Sequence, residues 1–474
     1  MNIYSLIILA YFAVVLVLGV LTRKVASKSA SDYLIAGRNL GMMVCAVVVA
    51  AEWLGGMSTI GVSERAFNTM SLQPILYNIS TALGMVVIGF TVAAHYRRKD
   101  VHTVSEMIET LFGSEARSVS AVAFLIAYIV LAYVQLQTCA SVMAPLFDVS
   151  WNWAVVISAG LIMIYTYLGG MHALAMTGML YLVTMFLGLG TAFFIGLGKV
   201  GGFSGLSETL IAQGAPVNLY NPFSAGMSSA FALLLGGLLG GMAAQASIQP
   251  VFAARDVNTA RKASMLAGLI VAPFGVMTAF LGLYARTGIF FAPGTEIVGK
   301  TALPTLLQTP AFIPPVLGGI AIAGVLAAIL STVGPVNFAV VTIAAKDIYH
   351  GIINKNADDA RIISTARKLV LLVSLLTVPL AIFLKGAVLD TAYISYAIRA
   401  IGAIVIVTGL YCRKLVTPLG VKLAFIIGTL SVFVTIIAQQ KGWFSVDKTY
   451  GAVAATIVVI LLSSIGDRIF RRKA

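Results

Sequence analysis

Two stretches of this chain combine residues that can expose bare backbone with residues that can hold a solute. The first is Glu52-Trp53-Leu54-Gly55-Gly56-Met57-Ser58; the second is Gly236-Gly237 and Gly240-Gly241, followed by Gln245, Ser247, Gln249 and Pro250. Glycine weakens a helix and proline removes a donor, so each stretch is a place where a helix can open and present carbonyls and amides. Close helix packing through small residues produces the same clusters and is the alternative for either one alone. A third feature is Arg399, which follows Tyr393 and Tyr396. A guanidinium in an apolar segment is costly and normally faces a bundle interior with a partner. It can recognise a carboxylate by a two-pronged hydrogen bond, or form a fixed ion pair with Glu52 or Asp390.

The elements that position these residues follow from composition. The 474 residues are 59% hydrophobic and only 10% charged, with a mean hydropathy of +0.99. The lipid bilayer is therefore the solvent, and spanning helices of about 20 apolar residues are required because lipid offers no partner to an open backbone group. Thirteen spans are predicted: 3–22, 41–65, 74–96, 118–146, 152–170, 175–198, 226–253, 262–287, 314–348, 366–385, 388–412, 418–440 and 449–468. The N-terminus lacks the short apolar core and small-residue cleavage site of a removable signal, so span 3–22 is expected to be retained.

The net charge of +14 suits topology, not nucleic acid. Segments 23–40, 97–117, 254–262, 346–368, 413–422 and 468–473 hold 23 of the 31 Lys and Arg residues. Such alternation places these loops in the cytoplasm, the N-terminus outside and the C-terminus inside a bacterial inner membrane. The three cysteines, Cys45, Cys139 and Cys412, have no ligand-like spacing and read as small packing residues.

A leading helix and loop (1–40) precede two five-helix blocks, 41–198 and 226–412, joined by an extramembrane connection over 199–225 and followed by two C-terminal helices and a basic tail over 413–474. An odd number of helices per block makes the second an inverted copy of the first. The ten block helices are numbered core helices 1 to 10. In such a repeat the first helix of each block is broken near the midplane, which is where both glycine-rich stretches fall.

These residues resemble the sodium:solute symporter family, whose members carry sugars, proline, pantothenate and monocarboxylates. The likeness covers nearly the whole chain. It rests on Ala51 to Ser58, on Ala159-Gly160-Leu161-Ile162-Met163-Ile164-Tyr165-Thr166-Tyr167-Leu168-Gly169-Gly170-Met171, on Gln249 to Arg255, and on Lys346-Asp347-Ile348-Tyr349. The fold it implies is an all-α polytopic membrane protein with a five-plus-five inverted repeat of the LeuT type. The strongest chemical match is Ala327-Ala328-Ile329-Leu330-Ser331-Thr332 on core helix 8. Carried across, the resemblance implies that sodium is held by Ala328, Ser331 and Thr332 with carbonyls of Ala46 and Val49. Neutral oxygens can replace part of a hard cation's hydration without trapping it. A Ser-Thr pair taken alone more often bonds back to the preceding turn. Two positions depart from the family. Thr177-Gly178-Met179-Leu180-Tyr181 lacks the acidic residue associated with a second ion position, and Val48 stands where proline symporters have Asp.

By the same resemblance the solute lies between the two breaks, with contacts from Glu52, Trp53, Tyr77, Asn78, Thr81, Gln135, Gln137, Gln245 and Arg399. Aromatic faces and amides suit a small polar molecule with some apolar body. A sugar is disfavoured, because the Tyr that covers a hexose falls on Gly240 and its polar neighbour on Gly237. The expected function is sodium-coupled symport of a small carboxylate by a monomer in the bilayer. The nearest alternative is a proton-coupled carrier using Glu52. An intramembrane enzyme would need acid, base or metal-ligand residues within the spans, whereas His95, His102 and His350 lie at helix ends and His172 follows the Gly169-Gly170 turn. A fused sensor, or a channel, is the remaining class, and no room for a signalling domain is expected after Arg471-Arg472-Lys473-Ala474.

Overall fold

The computed structural model describes residues 3–22, 39–99, 101–384 and 386–473. Residues 23–38, with part of the basic pattern, and Lys385 lie outside them. Every long element is a helix: α1 Ile3–Thr22, α2 Met42–Trp53, α3 Val62–Thr69, α4 Ile75–Phe90, α5 Val104–Phe112, α6 Ser114–Phe147, α7 Trp151–Lys199, α8 Met227–Met242, α9 Gln245–Phe252, α10 Val257–Val271, α11 Phe274–Arg286, α12 Gly299–Leu307, α13 Pro315–Thr342, α14 Asp359–Phe383, α15 Val388–Tyr411, α16 Pro418–Gln440 and α17 Lys448–Lys473. Among the described residues, nine helical spans are long and apolar enough to cross a membrane, or ten if the bent pair α2–α3 is one span. Three shorter apolar helices, Ile3–Val15, Ile75–Phe90 and Trp151–Met163, fall on further predicted spans. The predicted turn at Gly169-Gly170 lies among residues 164–176, whose side chains are outside the described set.

The layers follow from which faces are apolar. From Ala321 to Ile343 every residue of α13 and its first following position is buried, so this helix sits at the centre, packed chiefly on α7 and also on α6, α14 and α1. By contrast α16 and α17 pair with each other and turn Leu430, Val434, Val458 and Leu462 outward, the apolar belt expected of helices that meet lipid. Beyond Thr342, α13 continues as a π-helix, Ile343–Ile353. Each turn of such a helix is wider by one residue than an α turn, and long runs are rare.

Both predicted breaks exist. The α2 helix ends at Leu54 and Gly55, a short π turn (Met57–Gly61) follows, and α2 and α3 are bent by 53°. The second break lies at Ala243-Ala244, between α8 and α9. It follows the glycines instead of coinciding with them. Gly236 and Gly240 lie within α8, where an added Cβ would come within 2.7 Å of the Tyr393 ring and 2.9 Å of the Tyr396 backbone. Their role is close helix approach.

Candidate solute and ion site

A helix that stops in an apolar medium leaves carbonyls without donors, each costing several kcal/mol if unmet. At the first break these are the carbonyls of Ala51 and Glu52. They are met from α13: Ser331 Oγ donates to Ala51 O at 2.6 Å and Thr332 Oγ1 to Glu52 O at 2.6 Å. The Ala328 carbonyl lies 2.8 Å from Ser331 Oγ and 3.4 Å from Thr332 Oγ1. Pro335, having no N–H, leaves the Ser331 carbonyl without its usual helical donor. A cluster of neutral oxygens thus bridges the break and α13. It depends on Gly55, where a Cβ would sit 1.9 Å from Thr332 Oγ1. Ala328, Ser331 and Thr332 are brought together as expected. Ala46 and Val49 lie earlier, inside unbroken α2, and the carbonyls that reach the hydroxyls belong to Ala51 and Glu52.

Around the same break the aromatic residues converge. Tyr77 and Tyr396 share a hydrogen bond between hydroxyls at 2.7 Å, Tyr393 stacks on Tyr396 with centroids 5.0 Å apart, and Trp53 meets Tyr396 edge-on at 5.9 Å. Arg399 lies inside this group and is 1% exposed. Its guanidinium stands 4.1 Å from the Tyr396 ring centroid, 5.5 Å from that of Tyr128 and 5.9 Å from that of Trp53. Its Nη1 donates to Tyr128 Oη at 3.5 Å, whereas Nε and Nη2 are buried without a partner. Those two N–H groups form the side-on fork that fits a carboxylate. None of the ion pairs among the described residues includes Arg399; Asp390 pairs with Arg65 at 2.6 Å, and a carboxylate oxygen of Glu52 accepts from Ser247. Sequence reasoning missed Tyr128, whose place seven residues before Gln135 puts it on the same helix face.

The other expected contacts divide. Gln135 lies against Gly56, where a Cβ would come 2.7 Å from its Oε1, and its Nε2 is unpartnered, as is the indole N–H of Trp53. Thr81 bonds back to the carbonyls of Tyr77 and Asn78. Asn78 turns to Ser58 and the Val271 carbonyl. Gln137 donates to the carbonyls of Ala381 and Leu384 at the end of α14. Both amide atoms of Gln245 are held by backbone, accepting from Val104 N–H at 2.7 Å and donating to the His102 carbonyl at 3.1 Å.

Polar ties close the bundle at each end. At one, Arg65 of α3 binds Asp390, Gln73 and Ser229, Glu64 accepts from the Val388 N–H, and Lys300 of α12 donates to the Gly386 carbonyl. A surface cleft of roughly 490 Å³ lies there, walled by Glu64, Trp151 and Lys300. At the other end, Arg117 of α6 binds Glu106 and Glu109 of α5 at 3.1 and 2.7 Å and Asp347 of the π-helix at 3.0 Å. Burial pushes the Glu106 carboxyl up, but hydrogen bonds from His102 and the Arg117 charge outweigh it and hold it down at about 2.

A polytopic helical bundle with two broken helices, an oxygen cluster at one break and a buried, unsatisfied arginine fork beside it defines a secondary transporter. The sequence model of the Sodium:solute symporter family matches residues 33–428, and the chain belongs to that family. It is a multi-pass membrane transporter whose coupling ion is sodium and whose cargo is a small-molecule solute. Among solved structures it is similar to a Na+-coupled sialic acid symporter in a substrate-bound outward-open state, with a TM-score of 0.83 and 17% identity over 99% of this chain and 98% of that one. It is also similar to a nucleobase-cation-symport-1 family transporter in a closed conformation, with a TM-score of 0.60 and 11% identity over 93% and 94% of the two chains. A manganese transporter of Eremococcus coleocola shares the fold at a TM-score of 0.53 and 15% identity, over 91% and 93%.

Proposed function

We propose that this protein carries a small organic carboxylate with sodium through thirteen spans, as a monomer in a bacterial inner membrane, with its N-terminus outside and its C-terminus in the cytoplasm. The observation that carries the substrate class is the free fork of Arg399. A buried guanidinium gains only part of its lost hydration from ring faces. An arriving carboxylate supplies two charge-assisted hydrogen bonds that no fixed partner supplies in this arrangement.

Sodium enters the oxygen cluster of Ala51, Glu52, Ala328, Ser331 and Thr332 and replaces the hydroxyl-to-carbonyl bonds there. That cluster ties the first break to α13, while the solute ties the same break, through Trp53, to Arg399 of α15, so each ligand fixes the break that the other needs and binding of one favours the other. The basic loops place the Arg117 cluster on the cytoplasmic side and the Arg65 cluster outside; alternating access then consists of releasing one at a time. Packing supports the two inverted repeats, 41–198 and 226–412. Core helix 1 packs on core helix 7 and, reciprocally, core helix 6 on core helix 2.

The test is a thermal-shift screen of the purified protein with short carboxylates, amino acids, sugars and vitamins, with and without sodium. An acid should stabilise the wild type in sodium. Arg399→Lys, which keeps the charge but loses the planar fork, should weaken that acid at least tenfold while folding is retained. If Arg399→Lys left acid binding unchanged, the carboxylate assignment would fail.

A further inference from the structure

Four of the buried polar atoms that lack partners near the first break are N–H donors. They are Arg399 Nε and Nη2, the Trp53 indole N–H and Gln135 Nε2. The unpartnered acceptor Asn78 Oδ1 also lies beside the break, on a side chain turned to Ser58 and the Val271 carbonyl, whereas Gln137 Oε1 belongs to one held at the end of α14. Buried donors without partners are rare in folded proteins and mark groups that something else must satisfy. The Gln135 amide is oriented by Thr138, whose hydroxyl lies 3.3 Å from its Oε1, and this leaves its N–H side free.

These donors are not all at one point. Arg399 contacts Tyr128, and Tyr128 and Gln135 stand two turns apart on one face of α6, about 10 Å along its axis. The Trp53 ring faces both the Arg399 guanidinium and the Tyr396 ring, each at 5.9 Å. The Gln135 donor thus stands apart from the Arg399 fork along α6 and meets a different part of a solute than the fork does.

Resting on the carboxylate assignment above, we infer that the solute is an acid bearing a second hydrogen-bond acceptor outside its carboxylate, an oxo, hydroxy or amide oxygen. The carboxylate takes the Arg399 fork, and the second oxygen takes Gln135 Nε2 with the Trp53 indole. Gln135 is thus a specificity residue: it separates an oxygen-bearing acid from a plain aliphatic one, because an acid without the second oxygen leaves the buried amide unpartnered.

A matched series tests this with the full chain in detergent and sodium, reading dissociation constants from thermal shifts. The probes are pentanoate, 4-oxopentanoate and 4-aminobutyrate. The wild type should bind 4-oxopentanoate at least tenfold more tightly than pentanoate. In Gln135→Met, which keeps the length and removes the donor, that ratio should fall to about one, and Trp53→Phe should reduce it in part. A merely structural role for Gln135 would weaken both acids and keep the ratio, and that result overturns the inference. So would equal binding of the two acids by the wild type, or tightest binding of 4-aminobutyrate, which would place an ammonium against Glu52. These three outcomes leave the carboxylate assignment standing; if no probe acid bound in a way that depends on Arg399, the assignment itself would fall.

Discussion

At the scale of single residues, the proposed ion site is the place where one atom decides. Gly55 is held against Thr332 so closely that a methyl group cannot be added without moving α13 or the break. Overpacking of this kind typically costs about 1–3 kcal/mol, and here the displaced atom is also a proposed ion ligand. Gly55→Ala should therefore lower the thermal midpoint and abolish its rise with sodium. Ser331→Ala combined with Thr332→Ala should do the second with less of the first, since it removes ligands without adding volume. Sodium at a hundred times its dissociation constant stabilises a native state by about 2.7 kcal/mol, so the wild-type rise is large enough to measure. If the double variant kept the wild-type sodium titration, the oxygen cluster would not be the sodium site. Sequence reading reached the hydroxyl pair and the glycines, because both are features of residue type and order. It did not reach Ala51 and Glu52, whose carbonyls matter only because the helix ends just beyond them.

At the scale of elements, what could be read was set by how local the cause was. The break after Glu52 was readable from Gly55 and Gly56. The second break was displaced to Ala243-Ala244, since the glycines before it pack against α15 and no local signal separates packing glycines from opening ones. The resemblance offers Gln137 and Gln245 as solute contacts, whereas here α14 and the segment leading into α5 hold their amides, a choice made by tertiary contact alone. The loop that holds Gln245 leads into the Arg117 cluster, and two predictions belong here. Arg117→Ala should speed hydrogen exchange of backbone amides in 102–112 and 343–353 while leaving α16 and α17 unchanged, because it releases α5 from the π-helix. The second concerns pH. A carboxyl held at about 2 in the folded state, from 4.5, contributes stability above pH 4.5 that is lost as pH falls through that window toward 2. Thermal midpoints measured from pH 6 down to 3 should fall in the wild type and fall less in Glu106→Gln; equal slopes would show that Glu106 contributes nothing.

At the scale of the whole molecule, the described helices account for a bundle with a buried centre and an apolar belt, while orientation rests on the distribution of charge. Reporter fusions at Arg97 and Lys414 should both report the cytoplasm, and an external signal at both would invert the assignment of the two polar clusters. The general architecture was readable because a bilayer demands long apolar helices and little else. The pairing of helices was not, because apolar surfaces of similar composition carry no address.

The π-helix at the end of α13 gives that closure a mechanical character. It spreads eleven residues over wide turns, and Asp347, which Arg117 grips, lies within it. Were one wide turn to tighten to an α turn, the register beyond it would advance by one residue, a rotation of about 100°. Asp347 would swing away from Arg117 with no hinge and no tilt of the central helix. The Arg117–Asp347 latch would then work as a screw thread turned by a single position, driven by the same helix that carries Ser331 and Thr332 at its middle.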